Sequence, residues 1–397
     1  MSGPLAGIKV IEIGALIAAP FAARLMAEFG AEVVKVEAPG DGDPLRKWRK
    51  LHNGTSLWWY LQSRNKQSIS LDLKSPEAIA IVKRLAEDAD VLIENLKPGA
   101  LEKLGLGWDV LHALNPKLTL VRISGYGQTG PYKDRPGFGA IGEAMGGIRH
   151  TTGEAGGVPA RVGVSLGDSL ASLHAVMGAL MAVLRVKTGQ GDGQVVDVSL
   201  VESVFNLMES LVPEYDLLGH VRERSGGALP GIAPSNTYPT RDGAYVVIAG
   251  NSNPIYKRLM AVIGRPDLAD DPRFAQNDGR AAQAALIDGA IAGWTTRHPI
   301  EDVLAALQAA DVPAGRIYSV ADIVADPHYQ ARDMILQSEL PDGVKVKMPG
   351  IVPKLSETPG AVRWQGPTLG EHTDAVLARL GMTLEEIARL RSLGVVQ

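Results

Sequence analysis

Apolar stretches of strand length alternate with helix-length amphipathic segments through the first half of the chain. Lys9–Ile13 and Glu32–Glu37 predict two strands, and Pro20–Phe29 predicts the helix between them. Strands and helices that alternate in this way are typical of a parallel α/β sheet. The same pattern predicts further strands at Ser68–Leu73, Asp90–Ile93, Leu118–Ile123 and Gln194–Ser199.

Helix boundary signals refine this α/β pattern. Ser75-Pro76-Glu77 predicts a helix start, because serine caps an open helix end and proline fits the first helical position. A long helix is predicted from about Ser169 to Val186, and Lys187-Thr188-Gly189 ends it. Gly125–Gly139 holds five glycines and two prolines, which predicts a structured loop.

The chain of 397 residues exceeds what one hydrophobic core usually organises, so we expect two domains. Residues 1–218 form the first part of a large α/β domain in this interpretation, and residues 219–326 form a smaller domain with its linkers. Within the latter, residues 222–243 are rich in Gly, Pro and Ser, and a strand at Ala244–Ala249 precedes several amphipathic helices. Residues 327–397 are first extended and Pro-rich and then predict helices at 369–380 and 384–393.

Composition excludes several classes of function. A net charge of −4 provides no general attraction for nucleic acid or an anionic membrane. The absence of cysteine removes disulfides, thiol nucleophiles and thiolate metal sites, and the histidines include no pair at helical ligand spacing. The N-terminus lacks the pattern of a signal peptide, and Leu170–Leu184, interrupted by His174, is taken as too short to span a bilayer. We therefore expect a soluble, cytoplasmic protein without a metal.

Two familiar motifs are present only in incomplete form. Gly14 follows the first strand and Glu37 ends the second, as in a dinucleotide site, but the segment up to Pro20 lacks the second and third glycines of G-x-G-x-x-G. Gly163-Val-Ser-Leu-Gly167 matches the G-x-S-x-G elbow of serine hydrolases, with Ser165 as the nucleophile. That elbow needs a strong preceding strand, and residues 157–162 form only a weak one.

Asp168 lies at the start of the predicted long helix and has two interpretations. It is a helix cap that accepts a hydrogen bond from a first-turn N–H, or it is a reactive carboxylate. The helix dipole stabilises the charged form by roughly 0.3–1 kcal/mol, which also makes the carboxylate a poorer nucleophile. Reactivity would then depend on positioning rather than on basicity.

Several segments, in order along the chain, resemble the class III CoA-transferases, the family of formyl-CoA:oxalate and carnitine CoA-transferases. Each segment is weak alone, and their order and spacing make the resemblance specific. The segments are Gly30–Glu37, Arg64–Lys66 with Leu71–Lys74, Glu94–Ala100, Gly125–Pro131, Gly167-Asp168, Lys187–Gly189, Asp270–Phe274 and Leu369–Thr373.

The resemblance implies that Asp168 is the covalent nucleophile. In this family the aspartate attacks an acyl-CoA thioester, and an anhydride and an aspartyl-CoA thioester follow in turn, without a metal or a tightly bound cofactor. It also implies a Rossmann-like large domain built from both ends of the chain and an interlocked homodimer. First-turn N–H groups after Asp168 are candidate oxyanion donors, and Ser225, Gly226 and Gly227 resemble the family's mobile loop.

The resemblance also implies the residues that contact coenzyme A. We add Arg46 and Arg135 as further candidate cations, since an acidic protein must gather positive charge locally for the phosphates. The family's contacts fall on Ile17, Ala18, Leu71, Asp72, Leu73, Lys74, Asn95, Leu96, Lys97, Lys103, Pro136, Gly137, Phe138 and Gly139.

Departures from the formyl-CoA enzymes point to a different acid. Ile17 replaces their glutamine, Ala38 replaces an arginine, and Phe138-Gly139 replaces a tyrosine–glutamate pair. The family's racemases carry a catalytic histidine at the position of Phe138. The resemblance therefore favours succinyl-CoA as donor and a C4–C6 dicarboxylic acid as acceptor, with Arg46, Arg49 or His52 as the cation for its second carboxylate.

Overall fold

The computed structural model describes residues 3–397, which divide into two compact units. The large unit contains the chain up to residue 148, residues 162–209 and residues 332–397, and the small unit contains residues 149–161 and 210–331. Residues 149–161, which the sequence analysis assigned to the large domain, group with the small unit.

The strands alternate with helices up to residue 200 and become sparser afterwards. In chain order they are β1 (Lys9–Ile13), β2 (Glu32–Glu37), β3 (Leu51–His52), β4 (Thr55–Ser56), β5 (Lys66–Ser70), β6 (Val91–Glu94), β7 (Thr119–Ser124), β8 (Val195–Ser199), β9 (Ser235–Pro239), β10 (Tyr245–Ala249), β11 (Ala314–Arg316), β12 (Ile335–Glu339) and β13 (Lys345–Pro349).

The helices are mostly short, and α8 is the longest at 22 residues. In chain order they are α1 (Ala18–Glu28), α2 (Leu57–Gln62), α3 (Pro76–Ala86), α4 (Ala100–Lys103), α5 (Trp108–Leu114), α6 (Gly139–Met145), α7 (Ile148–Thr151), α8 (Leu166–Lys187), α9 (Leu200–Phe205), α10 (Leu211–Leu218), α11 (Asn253–Val262), α12 (Pro266–Ala269), α13 (Asn277–Ala282), α14 (Ala284–Thr295), α15 (Ile300–Ala309), α16 (Val320–Ala325), α17 (Pro327–Ala331), α18 (Thr373–Arg379) and α19 (Leu384–Ser392).

A parallel six-stranded sheet organises the large unit. Its strand order is β5-β2-β1-β6-β7-β8, and every neighbouring pair is parallel. Successive residues of a strand enter opposite cores: Val10 packs with α1 and α8, and Ile11 packs with α3 and the C-terminal helices. Apolar residues on both faces are typical of a parallel sheet covered by helices. The predicted mixed α/β fold with a parallel sheet is thus confirmed.

The helix α8 is a core helix of the large unit. Its alanines, Ala171, Ala175 and Ala179, are fully buried among residues of α1 and the sheet. By length and composition α8 is also apolar enough to cross a membrane, since an 18-residue window has a mean hydropathy of 1.6. The expectation that this stretch is too short to span a bilayer is therefore wrong. Of that window, 39% is buried inside the protein.

The small unit has a core of its own. An antiparallel sheet in the order β11-β10-β9 packs against α11, α14 and α15 through residues such as Ile248, Leu259 and Ile291. Arg280 is fully buried there, and its guanidinium donates to the carbonyl oxygens of Ala233, Asn251 and Phe274.

Most helices and strands lie where the sequence predicts them, and two regions differ. β1 and β2 have the predicted bounds, and α3 begins at Pro76 with the Ser75 hydroxyl accepting from Ala78 N. The third predicted strand is shifted, because β5 begins at the buried Lys66 and ends at Ser70. The hairpin β12–β13 lies where only extended chain was predicted.

Candidate active site at the carboxyl edge of the sheet

The strand order of the large unit places a topological switch point between β1 and β6. The chain runs from β1 outward to β2 and β5, and from β6 outward to β7 and β8 in the other direction. Loops on either side of such a point leave a crevice at the carboxyl edge, where ligands bind in open α/β sheets. The segments after β1, β5, β6 and β7, all of which carry predicted coenzyme A contacts, start at this edge.

The loop after β1 is held tightly to the loop after β6. The Asn95 amide donates to Ala15 O and accepts from Ala15 N, both at 2.9 Å. Gly14 leaves room for this pairing, because a Cβ there would lie 2.7 Å from Asn95 Oδ1. The predicted contact residue Asn95 therefore uses its side chain to shape the crevice.

Buried charges support the same loop from below. Lys35 Nζ lies 2.6 Å from Glu12, 2.9 Å from Asp43 and 2.8 Å from the carbonyl oxygen of Gly14. Asp43 in turn accepts from the N–H of Leu16 at 3.0 Å, and Leu16 has a φ of 66°. Burial disfavours charge on Asp43, but the nearby ammonium of Lys35 outweighs it and holds the pKa of that carboxyl below its usual value.

The same ion cluster extends to Lys66. Its Nζ lies 2.7 Å from Glu12 and donates to Pro20 O at 2.6 Å. The two ammonium groups of Lys35 and Lys66 thus share the carboxylate of Glu12, and each also binds a backbone carbonyl, Gly14 O directly after β1 and Pro20 O in the first turn of α1.

Arg46, a predicted substrate or phosphate contact, is bonded to other groups of the protein in this structure. It is only 8% exposed, and its Nε and Nη2 each donate to the Glu37 carboxylate at 2.8 Å. Its Nη1 donates to Pro367 O, and its guanidinium lies 3.7 Å from the centre of the Trp59 ring. These bonds also occupy Glu37, so that carboxylate is not available as a ribose ligand of a dinucleotide.

Asp168 lies in the first turn of α8 and is half-buried. The helix starts at Leu166 with Ser165 at the cap position, so Asp168 is the third helical residue and not the cap. Because α8 connects β7 to the parallel strand β8, its first turn lies at the carboxyl edge of the sheet. No strand lies between residues 157 and 165, so Ser165 lacks the strand that a nucleophile elbow requires.

The surroundings of Asp168 leave no space for extra atoms on one side. A Cβ on Gly139 would lie 2.1 Å from Oδ2 and 3.1 Å from Oδ1 of Asp168. The first residue of α6 therefore needs to be glycine if the carboxylate is to keep its position. Gly139 was predicted as a coenzyme A contact, and the structure places it directly against the nucleophile candidate.

The predicted oxyanion donors do not fit the helix. The N–H of Ser169 donates to Ser165 O at 3.1 Å, as an ordinary helical bond. The N–H of Gly167, which precedes Asp168, faces Glu143 Oε1 at 3.4 Å. The amide groups after Asp168 are used within α8, and this corrects the expectation that they stabilise an oxyanion.

A cavity of about 570 Å³ in the large unit brings together three of the predicted contact residues, Leu73, Lys74 and Lys103. The sequence analysis missed a third lysine of this cavity, Lys83. The signal was available, since Pro76, Ile79, Ala80 and Lys83 lie on one face of α3 at helical spacing. The full lining is Leu73, Lys74, Pro76, Ile79, Ala80, Lys83, Lys103 and Leu104.

Other predicted contacts vary in exposure. Ile17 and Ala18 are buried where α1 begins, whereas the Phe138 side chain is 70% exposed. Leu71 is buried and bridges to Val396, and Asp72 N donates to Val395 O at 2.8 Å.

The remaining predicted contacts flank the crevice. Lys97 and Pro136 are exposed, and the Arg135 guanidinium lies 3.6 Å from the centre of the Tyr132 ring. Leu96 N donates to Glu94 at 2.6 Å, and Gly137 approaches the Tyr126 ring.

The segment Ser225–Gly227 belongs to the small unit. Gly226 N donates to Gly153 O at 2.9 Å, and Ser225 Oγ donates to Ala228 O at 2.7 Å. The loop is therefore an ordered turn held by residues 149–161 of the same unit. Across residues 3–397, the structure groups no three His, Cys, Asp or Glu side chains in an arrangement that could hold a metal ion.

The large unit thus has a crevice at its switch point, a cavity lined by three lysines and a half-buried carboxylate at the start of α8. The family model described as CoA-transferase family III matches residues 5–373. The chain belongs to this family and is a CoA-transferase.

Related proteins align with nearly the whole chain. The succinyl-CoA–D-citramalate CoA-transferase of Chloroflexus aurantiacus is 49% identical over 99% of this chain and 98% of its own length. The succinate–glutarate CoA-transferase of Agrobacterium fabrum is 37% identical over 97% of each chain. The crystal structure of a CAIB/BAIF family protein from Brucella suis is 34% identical, covers 96% of this chain and 100% of its own, and has a TM-score of 0.83.

The close approach of Gly139 to Asp168 generates a testable prediction. Gly139→Ala should lower CoA-transferase turnover by roughly 100-fold, because the new methyl group displaces the carboxylate by about 1 Å or more. The urea midpoint should change little, since the displaced atoms are the end of one flexible side chain. Steady-state kinetics and urea unfolding measure the two effects.

Gly163→Ala is the matched control for this variant. A Cβ at Gly163 meets nothing within 4 Å, so turnover and stability should both stay near wild type. Turnover of Gly139→Ala equal to that of this control would show that the position of the carboxylate does not limit the reaction.

Proposed function

We propose that this enzyme transfers coenzyme A from succinyl-CoA to a C4–C6 dicarboxylic acid, with Asp168 as the covalent nucleophile. The observation that carries the proposal is the half-buried carboxylate in the first turn of α8, placed against Gly139 at the carboxyl edge of the sheet. The names of relatives that use succinyl-CoA with D-citramalate, or succinate with glutarate, support the choice of acids.

The proposed chemistry conserves the thioester bond energy. The Asp168 carboxylate attacks the thioester carbonyl, forms a mixed anhydride and releases the CoA thiolate. The thiolate then attacks the aspartyl carbonyl, which frees succinate and leaves an aspartyl-CoA thioester. The acceptor carboxylate attacks this thioester and forms a second anhydride, from which the thiolate regenerates Asp168 and releases the new acyl-CoA.

Alignment supplies most of the acceleration in this proposal. A carboxylate stabilised at a helix N-terminus is a weak nucleophile. Holding it at attack distance from the bound thioester can lower the barrier by about 7–11 kcal/mol. The close contact of Gly139 with the Asp168 carboxylate supports this role.

Of the three candidate cations for the second carboxylate of the acceptor, two lie beside carboxylates of the protein itself. Arg46 is bonded to Glu37, and His52 lies 2.6 Å from Asp342. Arg49 is exposed, and its guanidinium lies 4.5 Å from the centre of the Trp58 ring. We therefore propose Arg49 for this contact.

Hydroxylamine trapping tests the nucleophile and the substrates together. Wild-type enzyme mixed with succinyl-CoA and hydroxylamine should be inactivated, with a hydroxamate at Asp168 in the intact-mass and peptide spectra. Without hydroxylamine it should form new acyl-CoA from citramalate, malate, mesaconate, itaconate or glutarate, and not from a monocarboxylic acid.

Two variants complete this test. Asp168→Asn should show neither trapping nor exchange, whereas Ser165→Ala should show both, since the Ser165 side chain makes no capping bond. Exchange that survives in Asp168→Asn, or is lost in Ser165→Ala, would contradict the proposed nucleophile and favour the serine-hydrolase alternative. Inversion of a 2-methylacyl-CoA without exchange would indicate the racemase alternative.

We propose that the cavity lined by Lys74, Lys83 and Lys103 holds the 3′-phosphate of coenzyme A. Lys83→Ala should raise KM for succinyl-CoA by about 10-fold, since a hydrogen bond to a charged group contributes about 1.5–3 kcal/mol. For succinyl-3′-dephospho-CoA the variant and wild type should have the same KM. Steady-state kinetics with the two donors measures the difference.

Lys117→Ala is the matched control for the phosphate proposal. Lys117 is exposed just before β7 and so lies at the opposite edge of the sheet. It should leave both KM values unchanged. An equal rise in KM for both donors in Lys83→Ala would place the 3′-phosphate elsewhere.

We propose a homodimer, interlocked as the family resemblance implies, and a cytoplasmic location. An exposed apolar stripe on α8, opposite its buried alanines, supports the association of two copies but not the location: Leu173, Met177, Met181 and Leu184 are 47–64% exposed. An apolar stripe of this kind on a soluble protein marks an interaction surface.

Sedimentation tests the proposed dimer. Wild-type enzyme should sediment as a dimer at micromolar concentration, and Met177→Glu/Met181→Glu should not, because it places two charges in the stripe. Leu384→Glu changes an isolated, 81% exposed leucine and should remain dimeric. A monomeric wild type would contradict the proposal.

A further inference from the structure

Ser172 connects the helix that carries Asp168 to the segment after β1. It lies four residues after Asp168 and is fully buried. Its Oγ is 2.7 Å from the carbonyl oxygen of Ala18 and 2.7 Å from the carbonyl oxygen of Asp168. One hydroxyl oxygen is thus within hydrogen-bond distance of both segments.

The bond to Asp168 O is common by itself, because serine in a helix often bonds the carbonyl four residues earlier. Ser169 does this: its Oγ lies 2.9 Å from Ser165 O, within α8. Ser172 differs because the same hydroxyl also reaches Ala18, the first residue of α1.

The rest of the α1–α8 interface gives this polar contact its importance. The two helices meet through small apolar residues, among them Ala19 and Ala22 of α1 and Ala171 and Ala175 of α8. Contacts between alanines allow a close approach but are non-directional. A hydrogen bond requires a particular distance and angle, so it fixes the position of α8 along the axis of α1.

We infer that Ser172 is a positioning residue that sets the distance between the Asp168 carboxylate and the loop of residues 14–18. The inference rests on the proposed function, in which Asp168 attacks a thioester whose coenzyme A contacts Ile17 and Ala18. The loop is held from its other sides by Asn95 and Asp43. Ser172 therefore links the nucleophile to an otherwise fixed reference.

The inference predicts a change in turnover without a matching change in binding. In Ser172→Ala the hydroxyl is lost, and a displacement of about 1 Å between nucleophile and thioester can cost roughly 100-fold in rate. The lysine-lined cavity is unchanged, so KM for succinyl-CoA should stay within about twofold of wild type. Ser172→Cys keeps a weak donor and should be intermediate in kcat.

The experiment compares Ser172→Ala, Ser172→Cys and Ser169→Ala with wild type. It measures kcat and KM, the single-turnover rate of hydroxylamine trapping, and the urea midpoint. Ser169→Ala loses a serine bond within α8 only, so it should keep wild-type kcat. Slow trapping in Ser172→Ala with unchanged KM supports the inference.

Three results would overturn it. If wild type is trapped at Asp168 and Ser172→Ala is trapped equally fast, Ser172 does not position the nucleophile, although the proposed function stands. If kcat falls in both Ser172→Ala and Ser169→Ala in proportion to the lost stability, the role is structural only. If wild type itself is not trapped, the proposed function fails first. Should Ser172→Ala not fold, Ser172→Cys is judged by the same criteria.

Discussion

Two buried ammonium groups share one buried carboxylate beneath the loop that follows β1. Removing an ion from water costs several kcal/mol even in a relaxed protein, so each buried charge needs a partner and further hydrogen bonds. Lys35 and Lys66 both reach Glu12, Lys35 also reaches Asp43, and the two ammonium groups donate to the carbonyl oxygens of Gly14 and Pro20. Gly14 lies directly after β1 and Pro20 in the first turn of α1, so the two oxygens flank residues 15–19. The charges are therefore satisfied only if the loop takes this path, which connects the electrostatics of the core to the shape of the site.

Other polar residues near the switch point are also used within the protein. Asn95, Arg46 and Glu37 are polar residues near the switch point, and each bonds to other parts of the protein. Their side chains shape and support the backbone. The cations proposed for the phosphate are instead lysines on α3, on α4 and after β5, which line one cavity of the large unit.

The sequence predicts the parallel sheet well because its strands are apolar on both faces. The prediction of a strand is wrong where a buried charge interrupts the apolar pattern. Lys66 begins β5 and is buried, but a lysine in a sequence predicts a solvent-exposed position. The ion pair of Arg46 with Glu37 gave no signal in the sequence for the same reason, since the burial of an ion pair is set by the tertiary structure and not by spacing. Lys83 could have been found from helical periodicity. The grouping of residues 149–161 with the small unit has no local signal, because it depends on contacts with residues after 210.

The role proposed for Asp168 came from resemblance and not from its local pattern, which fits a helix cap equally well. The structure removes the cap interpretation, because Ser165 occupies that position. What distinguishes Asp168 is its surroundings: glycine packs against its carboxylate, and Ser172 connects its backbone to the loop after β1. A carboxylate at a helix N-terminus gains no nucleophilic strength from its position, since the dipole stabilises its charge. An enzyme that uses such a group must therefore rely on fixed distances, and the close contacts around Asp168 are of the kind that fix them.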